Sequence, residues 1–140
     1  MSSPAEPATA QALPAVLRTA LALIRTLLAL VFLYSGATKL LFWQASGTEV
    51  AALGLPSLTL PLTIAVQLGF GTLLLLGKQL MIAGTGLALF TLTATLLAHS
   101  GWLAGAENWR HELTVFLEHL AIVGGLLLIA LVPSLLKRTP

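Results

Sequence analysis

Apolar residues in this chain do not alternate with polar ones; they run unbroken. Four runs stand out, roughly Ile24–Trp43, Ser57–Gly77, Leu80–Trp102 and Leu113–Leu136. Each is about 20 residues or slightly more, the length an α-helix needs to cross the hydrocarbon layer of a bilayer. Inside that layer every backbone amide and carbonyl must find its partner within the protein, which leaves helices or a closed barrel. Barrel strands alternate apolar and polar side chains over about 10 residues. Stretches such as Leu73–Leu76 and Leu126–Leu128 are continuously apolar instead. The pattern predicts an all-α membrane protein, a four-transmembrane-helix antiparallel bundle.

Turn signals fall between the runs. Gly47 and the set Gly54-Leu55-Pro56 follow the first, Gly77-Lys78-Gln79 separates the second and third, and Gly101 to His111 separates the third and fourth. The Gly77–Gln79 link is so short that the helices it joins must be antiparallel neighbours. Pro61 sits early in its run, where proline is tolerated at a helix start. Pro133 stands near the end of the fourth run, as a bend or a stop. Met1–Pro14 is rich in Ala, Pro and Ser and has no basic region before an apolar core, so it does not read as a cleavable signal. Residues 1–13 are expected to form a flexible cytoplasmic tail, and residues 14–140 one membrane domain. Pro14 suits a first helical turn, with Ala15–Leu23 extending the first crossing into the headgroup layer.

Composition agrees. Hydrophobic residues make up 57% of the chain and charged ones only 9%, whereas a soluble domain carries about 25% charge. The 140 residues are used up by four crossings and their links, so no separate soluble catalytic domain is expected. The net charge of +2 is spread thinly, unlike the clustered basic face that nucleic acid requires. There is no cysteine, which excludes disulfides and thiolate chemistry by this chain.

The basic residues give an orientation. With both termini cytoplasmic, Arg18, Lys78, Lys137 and Arg138 lie inside, Arg25 lies at the inner boundary, and Lys39 and Arg110 lie toward the outside. Trp43, Trp102 and Trp109 then share the outer interface, the level that indole rings favour.

A few polar side chains interrupt the runs: Lys39, Gln67, His99, and the adjacent Glu118 and His119. With a rise of about 1.5 Å per residue, all fall within ~5–15 Å of the outer boundary. Ionisable groups inside a membrane are costly and usually face the bundle or a wet cavity. This points to a polar pocket in the outer leaflet, with Lys39, Gln67, His99, Trp102, Glu118 and His119 as candidate ligand-binding residues. Each also has a structural reading. Lys39 either snorkels to the headgroups or pairs with Glu118. Gln67 is expected to hydrogen-bond to a neighbouring helix, and His99 is either interfacial or a ligand group. His111, Thr114, Glu118 and Gly125 share one face of the last helix, and small residues mark close helix contact. Glu118 is therefore expected to face the bundle, with His119 turned about 100° away. On the third helix, Gly84, Ala88, Thr91, Thr95 and His99 form a stripe that reads as a packing seam. On the first, Ser35 lies four residues before Lys39, with Gly36 beside it. No serine-nucleophile, phosphate-loop or HExxH pattern occurs, and no metal site is expected.

These residues also carry a resemblance. RTLLALVFLYSGATK (Arg25–Lys39), LGLP (Leu53–Pro56), VQLGFGTLLLLG (Val66–Gly77), AHSGW (Ala98–Trp102) and HLAIVGGLLL (His119–Leu128) together resemble the DoxX family of small bacterial membrane proteins, over about residues 16–136. Two positions depart from that family's pattern. Gln67 stands where glutamate is frequent, and Glu118-His119 stands where Lys-Asn is usual. The resemblance implies a four-helix bundle in the bacterial inner membrane. It links some relatives to thiosulfate:quinone oxidoreductase and others to thiol-redox or oxidative-stress systems.

The expected function is an accessory membrane subunit, without catalytic activity of its own, that binds membrane lipids and other membrane or redox-enzyme subunits. No intrinsic cofactor is expected; a quinone or lipid would occupy the outer-leaflet pocket. The alternative is a direct quinone-reactive component, in which Glu118 or His99 exchanges protons and Trp102 or Tyr34 lines the ring site. A small transporter is the third reading.

Overall fold

The computed structural model describes residues 14–100, 103, 105 and 107–136. The expected tail of residues 1–13, Trp102, and Lys137 and Arg138 lie outside the described residues. Among these residues five α-helices follow in order: α1 (Ala15–Leu41), α2 (Trp43–Ala52), α3 (Thr59–Leu76), α4 (Leu80–Ala98) and α5 (Trp109–Leu136). Of these, α1, α3, α4 and α5 are long and apolar enough to cross a membrane, and no strand occurs among the described residues. The protein is an all-α bundle of four transmembrane helices.

The crossings differ in length. The central hairpin helices α3 and α4 have 18 and 19 residues, whereas α1 and α5 have 27 and 28. At 1.5 Å per residue the hairpin helices reach about 27–29 Å and the outer pair about 40 Å. Helix α1 packs on α3, α3 on α4, and α4 on α5. Large apolar side chains such as Leu27, Leu62, Leu89, Leu96 and Leu131 face outward, as lipid-facing positions do.

The α3–α4 turn shows why three residues suffice. Gly77 takes φ 70° and ends α3, with its own N–H donating to Leu74 O and that of Lys78 to Leu73 O. These bonds satisfy the terminal carbonyls, and glycine adopts the left-handed backbone without steric cost. Pro61 sits in the first turn of α3, as expected. Pro133 lies inside α5 and does not end it.

Two features differ from the sequence expectation. The segment around Gly47 is not a turn but the helix α2. The chain breaks at Phe42, whose N–H still bonds Thr38 O, and resumes helically with Ser46 N–H donating to Phe42 O. Gly47 lies against Leu60, and Ser46 is buried. Helix α5 also starts earlier than its apolar run. Its polar first turn contains Arg110, His111 and Glu112.

The densest packing lies in the half of the bundle near the α3–α4 turn. Ala29 and Phe32 of α1, Leu74 of α3, Ala83, Leu87 and Ala88 of α4, and Leu126 and Ile129 of α5 form one buried cluster. Small residues set the spacing. A Cβ on Gly84 would come within 2.8 Å of Leu126 O and 3.0 Å of Ala130 Cβ, so α4 and α5 touch backbone to backbone. Gly84, Ala88, Thr91 and Thr95 are buried; at Gly84 the stripe packs on α5 as the spacing predicted, whereas Thr91, Thr95 and His99 line a cavity. Thr91 returns its hydroxyl to Leu87 O at 2.7 Å, the usual way a threonine is accommodated inside an apolar helix.

Candidate functional site

The other half of the bundle is not filled. A cavity of about 530 Å³ lies between α1, α2, α3 and α4, with α5 contributing at one end. Its walls are mainly apolar, from Phe32, Leu60, Val66, Phe90 and Ile122. Its polar lining includes Ser35 and Lys39 of α1, Glu49 of α2, Gln67 of α3, Thr91, Thr95 and His99 of α4, and His119 of α5.

The α1 side is built by a close approach to α3. A Cβ on Gly36 would meet Leu68 Cδ2 at 2.8 Å and Gln67 Cβ at 3.2 Å, so only glycine lets α3 lie this near. That proximity brings Gln67 onto Ser35, with Nε2 donating to Ser35 Oγ at 3.0 Å. Lys39, one turn along α1, donates from Nζ to the same oxygen at 2.8 Å. Ser35 thus accepts twice and keeps its own proton to donate. Gln67 is only 6% exposed, and in this amide orientation its Oε1 is buried without a partner among the described residues. Thr95 Oγ1 is likewise buried without a partner there. Unsatisfied buried polar atoms are rare in native proteins, and here two, on α3 and α4, border one cavity. Glu49 supplies an opposite charge to Lys39 from α2.

At the other wall His99 caps the end of α4. Its Nδ1 lies 3.0 Å from Glu112 Oε2, and its ring stacks on His119 with centroids 5.6 Å apart. Asn108 Nδ2 donates to the second Glu112 oxygen at 3.0 Å. A chain of polar groups therefore runs from the cavity through His119 and His99 to Glu112 and the α4–α5 connection. No group of three potential metal ligands occurs among the described residues.

Of the residues singled out in the sequence, Lys39, Gln67, His99 and His119 border the cavity. Glu118 does not. It is exposed on α5, and His119 takes the inward face. The expected facing was inverted because it relied on the double glycine. Gly124 meets nothing within 4 Å, and Gly125 meets Leu28 of α1 rather than α4. The face of α5 toward α4 is instead set by Leu126, Ile129 and Ala130, and His119 lies two turns before Leu126 on that face. Accordingly Lys39 pairs with Ser35 near Glu49, not with Glu118. Tyr34 is also exposed. Ser35 and Glu112 are the functional candidates that the sequence list omitted. Trp43 and Trp109, both half-exposed, stand at the cavity end of the bundle, and Arg110 lies 5.4 Å over the Trp109 ring.

Comparison with known proteins agrees with this architecture. The sequence pattern of the DoxX family matches residues 20–100, from α1 through the end of α4. Over 101 residues the chain is 30% identical to Inner membrane protein YqjF of Escherichia coli (strain K12), covering 72% of this chain and 74% of that one. No solved structure matches. Ser35, Lys39, Gln67 and His99 fall inside the family match, while His119 and Glu112 lie beyond it. With its four crossings and a family match over more than half its length, the chain belongs to the DoxX family and is a multi-pass protein of the bacterial inner membrane.

Proposed function

We propose that this protein is an accessory membrane subunit whose cavity receives the polar head of a small amphiphile, a quinol or a lipid, from the outer leaflet. The observation that carries this reading is the set Ser35–Lys39–Gln67 at the edge of a mostly apolar cavity of about 530 Å³. A volume of this size is typical of a small-molecule site, as are apolar walls with a few placed polar groups. The set offers donors from Ser35 and Lys39 and an acceptor at Gln67 Oε1. A ligand with both an acceptor and a hydroxyl suits it best, which favours a quinol head over a purely accepting quinone. The orientation proposed from the basic residues puts this end at the periplasmic side. A redox-enzyme partner is the expected neighbour: cofactors carry such chemistry, and no group of three potential metal ligands occurs among the described residues.

The test is purification in mild detergent followed by mass spectrometry of co-isolated proteins and small molecules, with titration of a soluble quinol. Binding should weaken about tenfold or more in Lys39→Met or Gln67→Leu, the loss of one or two hydrogen bonds in a buried site. A lone chain that takes up neither quinol nor lipid at this cavity would defeat the proposal.

A second reading has its own support in the His119–His99–Glu112 series. Imidazoles in contact with a carboxylate suit proton exchange, so the chain would take part directly in quinol oxidation. Glu112→Gln discriminates. Unchanged turnover of the intact complex removes the proton-handling role and leaves the binding role standing.

A further inference from the structure

A second, smaller cavity lies at the opposite end of the bundle. Its volume is about 180 Å³. Arg18, Leu21 and Arg25 of α1, Leu80 of α4, and Ile129 and Val132 of α5 line it, with Arg18 exposed and Arg25 partly buried. The two arginines are seven residues apart, so they share one face of α1 about 10 Å apart along the axis. Extended guanidinium groups can close that span on a single anion.

Arg25 is level with the α3–α4 turn: a Cβ on Gly77 would overlap its guanidinium. The ten residues of α1 before Arg25 therefore run beyond the short hairpin, by up to about 15 Å. The last turns of α5, with Val132, line the same recess. The result is a recess beside the overhanging start of α1, lined by apolar side chains and by two guanidinium groups. A phospholipid has the matching chemistry, with acyl chains and glycerol joined to a phosphate.

Charge balance supplies the second argument. Arg25 Nε is buried and has no hydrogen-bond partner among the described residues. The described carboxylates, Glu49, Glu107, Glu112 and Glu118, all lie on α2, on the α4–α5 connection or in the half of α5 nearer Trp109. They are therefore toward the other end. Neither Arg18, Arg25 nor Lys78 forms an ion pair among the described residues. Guanidinium groups bind phosphate through two parallel hydrogen bonds, and basic pockets between transmembrane helices on the cytoplasmic side suit anionic lipid heads.

We infer that Arg18 and Arg25 hold the phosphodiester head of an anionic phospholipid in the recess between α1, α4 and α5. The site is separate from the larger cavity and does not depend on the function proposed for it. In the proposed orientation it belongs to the cytoplasmic leaflet.

The full chain in detergent is supplied with equimolar phosphatidylglycerol and phosphatidylcholine, and retained lipid is read by native mass spectrometry. Phosphatidylglycerol should be retained at least tenfold over phosphatidylcholine, at about fivefold per arginine. Arg18→Gln, at an exposed position where folding is safe, should cut that preference about fivefold, and Arg18→Lys should restore part of it. Arg25→Gln should act similarly; if it fails to fold, Arg18→Gln decides alone. Lys78→Gln, whose side chain does not line the recess, should leave the preference within twofold. An equal loss in Lys78→Gln and Arg18→Gln would mean a diffuse basic surface and would overturn the site. Displacement of phosphatidylglycerol by millimolar inorganic phosphate alone would make it a free-anion site and would overturn the lipid assignment.

Discussion

Gln67 and Ser35 share a hydrogen bond, yet removing one should hurt far more than removing the other. Ser35→Ala takes away the acceptor for both Gln67 Nε2 and Lys39 Nζ. Side-chain hydrogen bonds between membrane helices are worth about 0.6–1.7 kcal/mol each. Lys39 can recover by snorkelling to the headgroups, but Gln67 Nε2 is left buried and unpaired. A loss of about 2 kcal/mol is expected. Gln67→Leu gives up one of those bonds, about 1 kcal/mol. It also removes a buried acceptor with no partner, a group whose burial costs about 1–3 kcal/mol. The two terms oppose, so the net change should fall between no effect and a stabilisation of about 2 kcal/mol. In the double variant Ser35→Ala/Gln67→Leu the orphaned amide is gone, and stability should recover above that of Ser35→Ala alone. The assay is denaturant titration of helicity in mixed micelles, analysed as a double-mutant cycle. A cost of about 2 kcal/mol or more for Gln67→Leu would refute the reasoning, because the amide would then be fully satisfied in the resting protein.

Further outcomes are expected from other parts of the bundle. Gly84→Val should destabilise by about 2–3 kcal/mol in the same titration, since its first carbon meets the backbone of Leu126 and cannot be relieved by a rotamer change. Glu118→Gln should lie within about 0.5 kcal/mol of the parent, as for an exposed surface change, and should leave quinol binding untouched. His99→Phe keeps a ring against His119 but loses Glu112. Hydrogen exchange at Leu113–Val115 should speed up about five- to tenfold, the loss of roughly one hydrogen bond. Cysteines placed at Lys78 and Glu107 should react with impermeant reagents from opposite sides of the bilayer, and labelling of both from the same side would overturn the assumed threading.

The crossings were readable because lipid leaves few choices. Unbroken apolar runs of the right length, and a Gly77 turn too short for anything but a hairpin, determine the arrangement. Helix α2 was hidden for the same reason. Trp43–Ala52 is neither apolar enough to cross nor periodic enough to announce a buried face, and Gly47 resembles a turn. The depth of Lys39, Gln67, His99 and His119 was also legible from rise per residue. Their facing was less so. On α5 the recurrence of His119, Ile122, Leu126 and Ile129 held the answer, but the Gly124-Gly125 pair pointed elsewhere. Glu112 escaped notice because its turn of α5 is polar, although Asn108 four residues earlier marks a helical pair. The Ser35 bridge depends on how near α1 comes to α3, which Gly36 permits but no spacing along one helix reveals.

The three-residue turn between α3 and α4 has a consequence for how the chain is made. Once α3 is across, the start of α4 is already held at the bilayer surface, so the pair must enter as one unit during synthesis. A polar side chain such as Gln67 therefore never waits long in lipid without a neighbouring helix. Lengthening that link should leave the finished protein intact while slowing its insertion.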